Sequence, residues 1–152
     1  MNASSNVCTM ILASLLSSLP GGLARAAQPS PTQPVVDGNT AFACDLYAQL
    51  RNSPGNLFFS PYSISTALAM TYAGARGNTE SQMTKVLHFG KGQPELHAAF
   101  GALQRQLQPT QGQSGIELSV ANALWGQQGH PFLPAFLQVG QVEYQASLKL
   151  AD

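Results

Sequence analysis

Apolar residues recur at helical spacing between Asn39 and Asn52. Phe42, Ala43, Leu46, Tyr47 and Leu50 share one face, and Asp37 or Asn39 can cap the start. Ser53-Pro54-Gly55 breaks this helix, and the short apolar run Leu57-Phe58-Phe59 predicts a buried strand. Ser60-Pro61 then marks a second helix. The serine supplies a capping oxygen, and proline at the first helical position loses nothing by lacking an N–H. The pattern continues through Ile64, Ala67, Leu68, Thr71 and Ala75, with Gly74 and Gly77 ending it through turn geometry. The side chains of this helix are small, so neighbouring backbones can approach closely. That predicts a central, tightly packed position.

Thr79-Glu80-Ser81-Gln82 reads as a capping box opening a short helix over 79–88, with Met83, Val86 and Leu87 on one face. Pro94 opens a further helix over 94–107, striped by Leu96, Ala99, Phe100, Leu103 and Leu107. A polar loop is expected over 109–115. From Ile116 to Trp125 apolar and polar positions alternate, which predicts a strand. A helix over 131–143 follows, with Phe132, Phe136 and Val139 in register and Pro134 tolerated in the first turn. Ala146, Leu148 and Leu150 alternate again. A strand–helix–strand crossover of this length joins parallel neighbours, so 116–125 and 146–150 are expected to pair in parallel within one sheet. The chain stops at Asp152, in or just after that strand, and is expected to be truncated.

The N-terminal region has a different character. Val7 to Leu19 is apolar but short for a bilayer span, and Pro20-Gly21-Gly22 and the small-residue pattern Ala24-Arg25-Ala26 follow it. Residues 1–26 are therefore read as a signal peptide cleaved after Ala26, which implies secretion to the extracellular space; an uncleaved anchor is the alternative. Residues 27–38 are read as a flexible, Pro-rich arm.

Composition narrows the function. Seven Lys+Arg balance seven Asp+Glu, and only 9 % of residues are charged. A nucleic-acid binder needs a clustered basic surface, so no nucleic-acid partner is expected. After signal cleavage no membrane association is expected either. Cys8 falls in the leader, leaving Cys44 as the one mature thiol, expected as a buried small hydrophobe. His88, His97 and His130 are isolated, each expected as a surface or half-buried imidazole, so no metal site is predicted. The sequence holds no phosphate loop, dinucleotide fingerprint or nucleophile elbow, and its carboxylates are scattered. No cofactor and no catalytic residue are indicated.

One long ordered block changes the picture. Asn56-Leu57-Phe58-Phe59-Ser60-Pro61, then Ser63-Ile64, Ala67-Leu68-Ala69-Met70 and Gly74-Ala75-Arg76-Gly77-Asn78-Thr79-Glu80 with Gln82-Met83, closely resembles the serpins. Val120-Ala121-Asn122-Ala123-Leu124-Trp125, Phe132-Leu133-Pro134 with Phe136, and Tyr144-Gln145-Ala146 are similar to later blocks of that family. The resemblance runs over residues 39–152 and covers only the N-terminal part of a serpin domain. It implies a mixed α and β fold: helices A to E, one strand of sheet B at 57–59, and two parallel strands of sheet A.

The resemblance also implies a function. Serpins inhibit serine proteases, and some cysteine proteases, as suicide substrates. A cleaved reactive loop inserts into sheet A and distorts the trapped protease. That loop would lie beyond Asp152, so no reactive bond can be named. Ser60, Ser63 and Asn122 match positions of the shutter, beneath the opening of sheet A. Some relatives bind heparin through helix D; here 94–107 carries only Arg105, so no heparin binding through that helix is expected. A non-inhibitory serpin-fold binding or chaperone-like protein remains open as an alternative. So does a small helical interaction module.

Overall fold

The structure is a computed structural model that describes residues 30–108 and 120–152. The leader and its cleavage site, the 109–115 loop and residues 116–119 of the expected strand lie outside the described residues. Five helices and two strands run in the order α1 (Gln33–Leu50), α2 (Pro61–Tyr72), α3 (Gly77–Val86), α4 (Gln93–Leu107), β1 (Leu124–Gln127), α5 (Pro134–Tyr144) and β2 (Leu148–Ala151).

Helix α1 begins six residues before the expected Asn39, which corrects the reading of a flexible arm over 33–38. Val35 lies two turns before Phe42 on the same face, and both are buried. Pro34 falls in the first turn, where no intrahelical N–H bond is lost. Leu46 packs against the same cluster, whereas Tyr47 stays 54 % exposed. Cys44 is exposed, not buried as expected. Two residues past Phe42, it has rotated about 200° to the far side of the helix.

The expected strand at 57–59 does not form. Phe58 is 96 % exposed, and no strand lies alongside it among the described residues. A strand is stable only when a neighbour takes up its backbone hydrogen bonds, and apolar character alone cannot supply one.

Helix α2 is central, as its small side chains predict. It packs against α1, α4 and α5, with Ala69 fully buried and Ser65, Thr66, Met70 and Tyr72 nearly so. It ends at Tyr72, before Ala75. Gly77 does not close this helix but starts α3, in the left-handed region at φ +59° that glycine adopts without strain. The capping box at Thr79 is not used: α3 starts two residues earlier, with Arg76 at the N-cap and no side-chain cap bond.

Helices α4 and α5 approach closely. A Cβ at Gly101 would lie 2.9 Å from the Glu143 carbonyl oxygen, so only glycine fits. Helix α5 starts with Pro134 at its first position and ends in a left-handed cap at Gln145. The following Ala146 N–H then donates to the Gly140 carbonyl at 3.0 Å. That turn delivers the chain into β2.

Strands β1 and β2 pair in parallel, Leu124 opposite Leu148 and Gln127 opposite Ala151. The parallel pairing matches the expectation from crossover length. Among the described residues the strands lie later than expected, because the ladder forms where β2 overlaps its neighbour, and Val120–Ala123 precede that overlap. The core is a chain of aromatic rings across elements. Tyr72 meets Phe89 at 5.1 Å, Phe89 meets Phe100 edge-on at 6.0 Å, and Phe100 meets Tyr144 at 6.0 Å. Leu96, Met70 and Ala69 close around it.

Candidate functional site

The start of α2 is built as the sequence predicts. Ser60 is the N-cap in an extended conformation, and its Oγ accepts from the Ser63 backbone N–H at 3.3 Å. The two hydroxyl oxygens lie 2.9 Å apart, so one donates to the other. Both serines are exposed. Ser60 therefore fixes the helix start through its backbone and side chain together, and Ser63 shares the bond. The structure brings these two residues together but does not hydrogen-bond Asn122 to either. Asn122 is half-buried in the segment leading into β1, and its Nδ2 is buried without a hydrogen-bond partner among the described residues. A buried amide donor left unmet costs free energy.

A second polar cluster lies between α4 and α5. His97 is buried, 3 % exposed, which corrects its reading as a surface or half-buried imidazole. Its Nδ1 lies 2.7 Å from the Tyr144 hydroxyl, and Tyr144 is fully buried. Gln104 Nε2 donates to the Tyr144 carbonyl at 3.3 Å, so two α4 side chains hold the end of α5. His97 Nε2 and Gln104 Oε1 are buried without partners among the described residues. Burial disfavours the imidazolium and lowers His97 from 6.5 to about 4, so the ring is neutral near pH 7. Burial likewise raises the Tyr144 phenol, helped by the neighbouring Glu143 and Tyr62. The sequence carried a signal for the α4 side of this cluster only. His97, Gly101 and Gln104 fall at i, i+4 and i+7, one polar and small-residue stripe beside the apolar one, with the glycine marking the close helix contact.

The remaining histidines are as expected. His88 Nε2 lies 2.7 Å from Asp45 on the surface between α1 and the end of α3, and His130 is exposed. Among the described residues no group of three or more His, Cys, Asp or Glu could hold a metal ion. No helix among them is long and apolar enough to cross a membrane.

Comparison with known proteins places this architecture. The family model described as Serpin (serine protease inhibitor) matches residues 37–152. The leukocyte elastase inhibitor of Bos taurus is 44 % identical over 116 residues, which cover 75 % of this chain and 30 % of that protein. The leukocyte elastase inhibitor of Sus scrofa is 46 % identical over the same length, again covering 75 % of this chain and 30 % of the relative. Among solved structures, cleaved kallistatin complexed with heparin superimposes with a TM-score of 0.71 at 30 % identity, covering 80 % of this chain and 36 % of that one. The chain thus spans about a third of the length of the relatives it matches. With a family match over most of its length, and helices and a parallel strand pair arranged as in solved members, this chain belongs to the serpin family.

Proposed function

We propose that this chain is the N-terminal part of a secreted serpin whose whole protein inhibits serine-type endopeptidases as a suicide substrate. The observation that carries this reading is the identity of 44–46 % to proteins named leukocyte elastase inhibitors. It makes an elastase-like serine protease the first target class to try. In this reading the chain has no catalytic activity of its own. It contributes part of the sheet that receives the reactive loop, β1 and β2, and the central helix α2. Ser60, Ser63 and Asn122 serve as the shutter, where hydroxyls and an amide exchange partners as the strands part. The unmet Asn122 Nδ2 supports that role, because a donor with no partner here is free to take one in the whole protein. Removal of residues 1–26 precedes release to the extracellular space. The matched region begins at residue 37, beyond that leader. Heparin is not a partner through α4, whose one Lys or Arg is Arg105.

The test is to express the protein encoded by the complete reading frame and to mix it with neutrophil or pancreatic elastase. Inhibition predicts an SDS-stable complex of the summed mass and loss of protease activity at near-equal stoichiometry. Cleavage of the protein without a stable complex would refute inhibition and favour a non-inhibitory binding protein. Amino-terminal sequencing of the exported product near Ala27 tests the leader.

A further inference from the structure

Between the C-terminal end of α2, the first turns of α3 and the connection from β1 to α5 lies a cavity of about 460 Å³. Small-molecule sites typically occupy roughly 300–1,000 Å³ and combine apolar walls with a few polar atoms. One wall of this cavity is aromatic. His130 meets Phe132 edge-on at 5.0 Å, and Phe132 stacks on Phe136 at 6.2 Å with the ring planes 21° apart. Met83 and Pro131 add apolar surface. The backbone holds this wall in place. A Cβ at Gly126 would lie 2.5 Å from the Phe132 ring, so that ring rests directly on β1. The His130 N–H donates to the Gln127 carbonyl at 3.2 Å, which closes the turn after β1 and sets the imidazole beside Phe132. Phe136 sits in the first turn of α5. A flat guest can therefore extend the stack without first ordering it, which lowers the cost of binding.

The polar groups of the lining are His130 and two threonines, Thr71 and Thr79. Thr71 is committed: its hydroxyl donates to the Ala67 carbonyl at 3.2 Å. His130 and Thr79 are exposed, and neither side chain makes a hydrogen bond among the described residues. A neutral imidazole keeps one ring nitrogen as an acceptor, so His130 can take a proton donor from a guest. Among the described residues that line the cavity there is no Lys, Arg, Asp or Glu, so a net charge on the guest finds no fixed partner.

We propose that this cavity binds a flat, uncharged aromatic molecule carrying one N–H or O–H donor. Its ring extends the Phe132–Phe136 stack, and its donor meets a ring nitrogen of His130. The proposal is independent of protease inhibition.

The test uses the protein encoded by the complete reading frame and indole as the probe. Calorimetric titration reads the affinity. Long-range proton–nitrogen NMR of the histidine rings reads the site, with His130 assigned by its loss in His130→Phe. The expected result is a saturable shift of the His130 ring nitrogens, with His88 and His97 unmoved. His130→Phe keeps a ring beside Phe132 but removes the acceptor, and should weaken binding about two- to tenfold, the net worth of one hydrogen bond. Thr79→Trp places a large side chain on the exposed α3 side of the cavity and should weaken binding about tenfold or more. Ala98→Trp, exposed on α4 and outside the lining, should leave it unchanged. The proposal is overturned if His130 shows no saturable shift up to about 1 mM, a weak-binding limit, if the three histidines shift alike, or if His130→Phe binds as the parent does. It is also overturned if Thr79→Trp melts like the parent and binds equally. Should Thr79→Trp fail to fold, His130→Phe and the comparison of the three histidines decide.

Discussion

Tyr144→Phe removes a single oxygen from a side chain with no solvent exposure and changes nothing else in its shape. The Gln104 bond to the Tyr144 carbonyl survives, because it uses backbone. What is lost is the partner of His97 Nδ1 at 2.7 Å, on a ring whose Nε2 already has none. The imidazole would then be buried with both nitrogens unmet. Stranding a buried polar atom costs about 1–3 kcal/mol, more than the net value of the bond itself. His97→Leu strands the Tyr144 hydroxyl in the same way and should cost a similar amount. The double variant removes both polar groups, so its cost should fall below the sum of the singles by about 1–2 kcal/mol. Urea unfolding of the four proteins, read from midpoints at constant slope, measures that coupling. Singles that add to within about 0.5 kcal/mol would refute the view that His97 and Tyr144 act as one unit.

Four further outcomes follow from the same structure. His97 is held at about 4 in the folded chain against its ordinary 6.5, so the unfolded chain binds the extra proton between those values. Its contribution is complete above about pH 6.5, declines as pH falls towards 4, and is worth at most about 3 kcal/mol; His97→Leu should flatten that slope in a pH series of melts. Gly101→Ala must push α4 away from the Glu143 carbonyl and should cost about 1–3 kcal/mol in thermal unfolding, whereas Gly90→Ala, which meets nothing within 4 Å, should stay within about 0.5 kcal/mol. Ser60→Ala removes the acceptor for the Ser63 N–H and should cost about 1 kcal/mol; an unchanged melt would show that the cap does not hold α2. Cys44 should be alkylated in the native protein as fast as a free thiol, read by peptide mass mapping, and protection until unfolding would contradict its exposed position.

The sequence by itself determined the helices, the parallel pairing and the family. Helix existence follows from local signals: Ser60-Pro61 caps and starts α2, Pro94 opens α4 within one residue, and Pro134 takes the first position of α5. The length of the connection between the expected strands at 116–125 and 146–150 pointed to the parallel pairing that forms. Tertiary structure decided the rest, because burial and ladder formation depend on partners distant in the chain. Val35 extended α1 backwards only because a core cluster was there to receive it. Leu57-Phe58-Phe59 had the composition of a strand but no neighbour among the described residues to bond with. His97 and Tyr144 are 47 residues apart, so no local pattern could pair them. The glycine between His97 and Gln104 permitted the approach of α5. The packed helices then removed the water that would otherwise have solvated the imidazole, and burial set its charge state.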